Sequence, residues 1–395
     1  MDEITLEVET VTPLFIAGAD QRNIENEGLR APSLRGLLRW WFRAIMGGMV
    51  SIRSLKELEN KIFGSVNQKS RVKILTVSDS QPSQIDVQSD LRYLWFSIHM
   101  QKRNYQRLQC YPPETKFKIM LSSDDENSLK IALGCLWALI YLGGVGARMR
   151  RGAGSLKVNN VSGKIPYTFI FTGNTSIDAK EFIEKNLAEI FRDFKEYAGE
   201  KYNPQTNSNF AVLSKNHAKM SLIQQPLNTW EECLMRIGNI YKNFRTRGNV
   251  KVEERFIWGL PIRSPQNLRR FENLLKKNLQ KKGWKEEKIE KEIKRLRKLK
   301  ENELLREIEI STDKTKQIFL KLLLLEKLRQ SSPLLIGVMD LNGKYAIRLV
   351  KFYTSIHPDF SSKLRFLRQD LDGFDNIIAK NKELGEIEIE IPEVK

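Results

Sequence analysis

Two groups of arginine carry the chemistry that can be read from this sequence. Arg35, Arg39 and Arg43 recur every fourth residue, so on a helix they stack as one ridge of guanidinium groups on successive turns. Three such cations repel one another, and that cost is offset either by a polyanion laid along the ridge or by acidic partner residues. Trp40 projects beside the ridge; an indole there either stacks on a base or is buried against another domain. The second group is the run GGVGARMRRGAG at 143–154, which sets Arg148, Arg150 and Arg151 among Gly143, Gly144, Gly146, Gly152 and Gly154. Glycine lets backbone N–H groups approach a phosphate, and arginine adds bidentate, charge-assisted hydrogen bonds. No GK[ST] follows, which excludes a Walker loop, and the run follows a helix without G-x-G-x-x-G spacing, which excludes a dinucleotide turn.

Groups able to do acid–base or metal chemistry are scarce. His99, His217 and His357 are the only histidines, and none stands near another ligand or a cysteine nucleophile motif. Asp124, Asp125 and Glu126 cluster, but the serine and asparagine around them read as a turn. Cys110, Cys135 and Cys233 are odd in number and far apart, so they read as small core residues in a reducing compartment. No metal and no cofactor is expected. Metal-free RNA cleavage by tyrosine or lysine is open to such a chain, although nothing in the sequence demands it.

The 395 residues carry 66 Lys+Arg against 48 Asp+Glu, a formal net charge of +18. That surplus favours a polyanion, of which nucleic acid is the commonest. The opening and closing segments alternate acidic and apolar residues and offer no basic amphipathic anchor or lipidation site, and no apolar run is long enough to cross a bilayer. A cytoplasmic protein without membrane attachment is expected.

The elements that must position the two arginine groups follow from hydrophobic spacing. Ile4, Leu6 and Val8 alternate as a half-buried strand. A helix capped by Ser33 runs to Gly47-Gly48, with Leu34, Leu37, Leu38, Trp41, Phe42 and Ile45 on its apolar arc. A short helix at 54–63 follows, then strands at 71–77, 91–98 and 116–121. The run SLKIALGCLWALIYL, apolar on every side, reads as a helix buried between layers, and SLKV resumes as a strand. Strand, helix, strands, helix, strand is the split βαβ of a ferredoxin-like fold. From Tyr167 the order begins again: the strand YTFIF, a helix at 177–197, strands near 210–213 and 220–224, and an amphipathic helix bearing Trp230, Cys233, Leu234, Ile237, Ile240, Tyr241 and Phe244. ERFIWGLPI reads as a strand ending. Residues from about 266 to 329, dominated by Lys, Arg, Glu and Leu at helical spacing, read as an inserted helical hairpin. PLLIGVMD and YAIRLVKFYT then form two strands around an Asn342-Gly343 turn. The expected fold is α+β: two ferredoxin-like (RRM-like) βαββαβ domains, at 1–164 and 165–395, the second carrying the charged insertion.

Four segments, TPLFIAGADQ, APSLRGLLRWWFRAI, ELENKIFGS and GGVGARMRRGAGSL, stand in the order seen in the RAMP superfamily of CRISPR-associated proteins, which this chain resembles. The likeness is nearest to first subunits of the Cmr effector module, the type III-B system. RQSSPLLI from Arg329 resembles the second-domain strand of that family, whereas the charged insertion has no counterpart in its pattern. The resemblance implies an RNA-facing glycine-rich loop and membership of a complex assembled on CRISPR RNA with other Cmr subunits. It further implies a place where the 3′ region of the guide is held and target RNA is captured, with cleavage left to other subunits. The expected RNA-binding residues are Arg35, Arg39, Trp40, Arg43, Gly144, Gly146, Arg148, Arg150, Arg151 and Gly152, on single-stranded guide or target RNA. Two other readings stand beside this one: a RAMP-type endoribonuclease processing CRISPR RNA precursors, and an assembly subunit whose basic stripe meets acidic protein neighbours.

Overall fold

The computed structural model describes residues 2–16, 28–78, 81–85, 91, 93–95, 108–204, 210–246, 265–328, 333–353, 374, 378 and 385–393. The chain forms two compact units, Met1–Phe244 with Pro333–Lys395, and Arg245–Ser332.

The first unit opens with β1 (Asp2–Thr10), α1 (Ala31–Met46), α2 (Ile52–Phe63), β2 (Lys73–Val77), the ribbon of β3 (Ser83–Ile85) and β4 (Leu108–Cys110), β5 (Lys116–Ser123), α3 (Glu126–Leu142) and β6 (Leu156–Ser162). The four-stranded sheet runs β2-β5-β1-β6, with every neighbouring pair antiparallel. Its main strands taken in chain order give the ferredoxin-like arrangement 4-1-3-2. Alternation places Ile4, Leu6 and Val8 of β1 and Phe117, Ile119 and Leu121 of β5 inward, under the buried arc of α1. The expected Ser33 cap is replaced by an earlier start at Ala31, with Pro32 in the first turn, where its missing N–H costs nothing. The strand expected at 91–98 is not one in its described part. Leu91 and Tyr93–Trp95 form a helical turn, with Trp95 N–H donating to Leu91 O at 3.1 Å.

YTFIF does not open the second sheet. Residues 167–171 belong to no strand ladder, and Tyr167 is a bend. Side chains of two helices satisfy the segment instead: Trp137 Nε1 donates to Thr168 O at 3.0 Å, Tyr141 Oη donates to Phe169 O, and Thr168 N–H donates to Asn186 Oδ1 at 2.9 Å. Asn186 belongs to α4 (Ser176–Ala198), which starts at a Thr175–Asp178 capping box and lies against α3 and α1. The strand expected at 210–213 is likewise a docked segment, in which Leu213 N–H donates to Ala44 O of α1.

The second sheet is built from β7 (Ala218–Ile223), β8 (Leu334–Asp340), β9 (Tyr345–Phe352) and β10 (Glu386–Ile389), with α5 (Trp230–Thr246) after β7. Its order β10-β7-β9-β8 is again antiparallel and again 4-1-3-2. The β8–β9 hairpin turns at Asn342 and Gly343, both at positive φ, as the Asn-Gly pair predicts. ERFIWGLPI lies outside the described residues. Both faces of this sheet are covered, so its strands read as continuous apolar runs. Leu335, Met339, Val350 and Phe352 join one core with the first sheet's helices, while Cys233, Leu234, Ile237 and Tyr241 of α5 are buried as the periodicity predicts. Among the described residues, no helix is long and apolar enough to cross a membrane.

The second unit holds α6 (Pro265–Lys281), α7 (Glu286–Lys298), α8 (Glu301–Ile310) and α9 (Lys314–Leu328). Gly283, at φ +80°, makes the turn after α6. Gly283 N–H reaches Gln280 O at 2.9 Å and Trp284 N–H reaches Leu279 O at 3.1 Å, the paired bonds of a Schellman motif.

Candidate nucleic-acid interface

The arginine ridge of α1 lies on α2. Arg35 Nη1 donates to Phe63 O at 3.2 Å. Arg39 donates from Nε to Glu59 Oε1 at 2.6 Å and from Nη1 to Gly64 O at 2.9 Å. Arg43 Nη1 donates to the same Glu59 oxygen at 2.9 Å. Phe63 and Gly64 end α2, where unpaired carbonyls carry the negative end of the helix dipole, and Glu59 is buried. Of the two ways to offset the ridge's repulsion, the acidic-partner one operates here, from inside the chain. Burial, and secondarily the Arg39 charge, hold the Arg35 pKa below the usual arginine value.

Trp40 is half-buried, edge-on to Trp41 at 4.9 Å and to Phe352 at 5.6 Å between ring centroids. The Arg150 guanidinium sits over the indole face, 5.2 Å from its centroid. Helix α1 and the glycine-rich run, more than a hundred residues apart in sequence, therefore meet at this cation–π pair. Burial first, then the neighbouring Arg151 charge, push the Arg150 pKa down to about 10. Beside Trp40, Arg39 and Arg43 open onto a groove of about 470 Å³ between α1 and α2, closed by Lys56 and Phe210.

The rest of the run divides by role. Arg148 is half-buried in left-handed backbone, φ +63°, and among the described residues its guanidinium makes no hydrogen bond. Burial and then Arg151 lower its pKa. Arg151 was expected to face RNA, but it is turned inward and buried. Its guanidinium donates to Leu334 O at 3.0 Å and to Tyr241 Oη at 2.9 Å, and its own carbonyl accepts from Trp95 Nε1 at 3.1 Å. The glycines of the run pack closely against protein. At Gly146, φ +82°, a Cβ would stand 2.5 Å from Phe15 O; at Gly144, 3.0 Å from Gly154 O; at Gly152, 2.2 Å from Leu234. The run is thus the joint of the two sheets, with Ile336 N–H donating to Arg150 O at 3.2 Å.

Spacing put Tyr241 on a buried helix face but gave no sign of its bond to Arg151, nor of the roles of Trp95 and Arg348. Arg348 stands on β9, buried, and donates to the carbonyls of Ile140 (3.3 Å), Tyr141 and Gly143, capping the C-terminus of α3. Burial holds its pKa down at about 9. Room for it comes from Gly337, its cross-strand partner, where a Cβ would fall 2.0 Å from a guanidinium nitrogen.

Burial raises the thiol pKa of Cys110 and Cys233 to about 12. His217 Nδ1 lies 2.8 Å from Ser214 Oγ, while His99 and His357 lie outside the described residues. Asp125 accepts from Arg71 at 2.8 Å and from Ser128 at 2.5 Å. Among the described residues, no cluster of three or more His, Cys, Asp or Glu could hold a metal ion.

Residues 7–157 match the model of the RAMP superfamily. Over 182 residues the chain is 40% identical to the CRISPR system Cmr subunit Cmr1-2 of Pyrococcus furiosus, covering 40% of this chain and 96% of that one. This chain belongs to the Cmr1 family. Cmr1-1 of the same organism is 29% identical over 365 residues, 90% of this chain and 89% of the relative. The apo crystal structure of Cmr1 from Pyrococcus furiosus superposes with a TM-score of 0.63 at 27% identity, over 98% of this chain and 99% of that one. A chain in the cryo-EM structure of the type III-B Cmr-beta bound to cognate target RNA shares the fold, with a TM-score of 0.53 at 14% identity, over 95% and 99% of the two chains.

Proposed function

We propose that this Cmr1-family chain is a non-catalytic, RNA-binding subunit of a cytoplasmic type III-B CRISPR effector complex, holding single-stranded guide or target RNA at Trp40, Arg43, Arg148 and Arg150. The observation that carries the reading is the Arg150 guanidinium over the Trp40 indole at 5.2 Å, at the mouth of a groove that also presents Arg43 and Lys56. An aromatic face beside several cations is what single-stranded RNA requires, since every base can stack and every nucleotide carries a phosphate. Arg35 and Arg39 hold α2 and orient that wall; Arg151, Gly144, Gly146 and Gly152 hold the run that presents Arg148 and Arg150. The relatives point the same way: Cmr1-1 and Cmr1-2 are Cmr subunits, and the Cmr-beta assembly was solved with cognate target RNA. The protonated buried thiols support a role without catalysis of its own.

The test is a double-mutant cycle on affinity for single-stranded RNA, using Trp40→Ala and Arg150→Ala. Each should weaken binding, with a coupling of at least about 0.5 kcal/mol, as befits neighbours on one surface. Singles with no effect would move RNA elsewhere on the chain. Incubation with guide precursor and target RNA, with and without divalent metal, should leave both intact. Cleavage abolished by one substitution in this chain would make it an enzyme.

A further inference from the structure

The inserted helical unit pairs many of its acids with bases, within and between its helices: Glu272 with Arg297 and Lys276, Glu290 with Lys276, Glu292 with Arg295 and Lys316, Glu307 with Arg295 and Lys316, and Asp313 with Lys282. Glu286 and Glu287 are exposed on α7, and Glu287 pairs with Lys291 on its outer side at 3.0 Å. The Glu272–Arg297 and Glu290–Lys276 pairs join α6 to α7, and buried Leu275 and Leu279 of α6 and Ile289, Ile293 and Leu296 of α7 fix which sides face the unit's interior. At 100° per residue, Arg270, Lys277 and Lys281 then fall on the outer side of α6, and Lys294 and Lys298 on the outer side of α7. All five are exposed. Among the described residues, Arg270, Lys277, Lys281 and Lys298 form no ion pair, and Lys294 has only the charge of Glu290, already bound to Lys276, for company.

We propose that this outer face of the α6–α7 hairpin is a second RNA-backbone site, separate from the Trp40–Arg150 surface. Cations that repel along two adjacent helices are tolerated at least cost when they meet a polyanion, and α6, about 25 Å long at 1.5 Å per residue, can track several phosphates. The composition speaks for phosphate rather than for an acidic protein. Cores of protein interfaces are enriched in aromatic residues and depleted in lysine, whereas here lysine dominates and, among the described residues of α6 and α7, Leu274 is the only exposed large apolar one. Without an aromatic platform or a glutamine–asparagine reading edge, the face takes the backbone irrespective of sequence.

The full-length variant with Lys277, Lys281, Lys294 and Lys298 all changed to Gln tests this, with circular dichroism to confirm helix content. Salt titrations of RNA affinity are compared for wild type, this variant and Arg150→Ala. Each phosphate contact contributes about −0.7 to the salt slope on a single strand, so the quadruple variant, losing four, should lose roughly 3 in slope magnitude and bind about ten-fold or more weakly. Unchanged slope and affinity overturn the proposal. If Arg150→Ala alone weakens binding, the hairpin site is refuted and the Trp40 site stands; if the quadruple variant alone does, the reverse holds. A quadruple variant that keeps RNA affinity but no longer enters the assembled complex assigns the face to an acidic protein partner and also refutes the proposal.

Discussion

The two units of this chain treat their charges in opposite ways. In the α/β unit several of the arginines that the sequence makes conspicuous are consumed inside: Arg39 by buried Glu59 and the end of α2, Arg151 by Leu334 and Tyr241, whereas Arg43 gives one nitrogen to Glu59 and stays partly exposed at the groove. In the helical unit several carboxylates are paired at helix seams, while Lys277, Lys281 and Lys298 are exposed and, among the described residues, form no ion pair. Net charge therefore does not report available charge. A guanidinium has five donors in a planar fork and can satisfy several carbonyls at once, so burial finds it useful; an ammonium is strongly hydrated and stays in water.

The strongest way to break this comparison is Arg348→Ala. It strips charged hydrogen bonds from three carbonyls at the buried end of α3, and at 1.5–3 kcal/mol for each bond to a charged group, with partial compensation, a loss of about 3 kcal/mol is expected. The urea midpoint should fall with the m-value unchanged; a shift below about 1 kcal/mol would mean the cap is incidental. Glu59→Gln comes next. It leaves Arg39 and Arg43 without their shared carboxylate, for an expected cost of about 2 kcal/mol. The same change frees two cations at the groove, so RNA affinity should rise several-fold while stability falls; affinity that falls with stability would place the ridge outside the binding surface.

In the helical unit, Gly283→Ala forces a Cβ into left-handed backbone at the α6–α7 turn and should cost about 1 kcal/mol, read as earlier thermal loss of helical signal. Least in size is a pH effect. Hydrogen bonding from Arg295 first, and from Lys316 after the opposing cost of burial, holds the Glu292 carboxyl at about 2. A depressed carboxyl pKa contributes stability that is present above the unfolded value near 4.3 and fades as pH falls toward about 2. Because Arg295 is partly exposed, the contribution should be under about 1 kcal/mol. Glu292→Gln should flatten stability across that window, and an unchanged acid profile would remove the pair from the account.

Both ferredoxin-like sheets were legible to differing depth. The first followed from alternation in β1 and the arc of α1. The second was assigned its strand too early, because YTFIF carries a strand's apolar alternation while its backbone bonds go to Trp137, Tyr141 and Asn186. Of the candidate site, Trp40 and Arg150 were named separately, and only folding brought them to one spot. Gly144, Gly146, Gly152 and Arg151 were read as phosphate binders because glycine and arginine suit a phosphate and a crowded joint equally well.

Sequence alone determined most of the local elements, the buried character of α3, the Asn-Gly hairpin, the charged helical insertion and the cationic surplus. Each rests on residue type at short range: periodicity, turn conformation, composition. Tertiary structure decided which arginines were left to act. A guanidinium's partners lie wherever the chain returns, at Glu59 for Arg39, at Leu334 for Arg151 and at the end of α3 for Arg348. No spacing along the chain encodes such meetings, because they are set by which strand lies beside which helix once the core has closed.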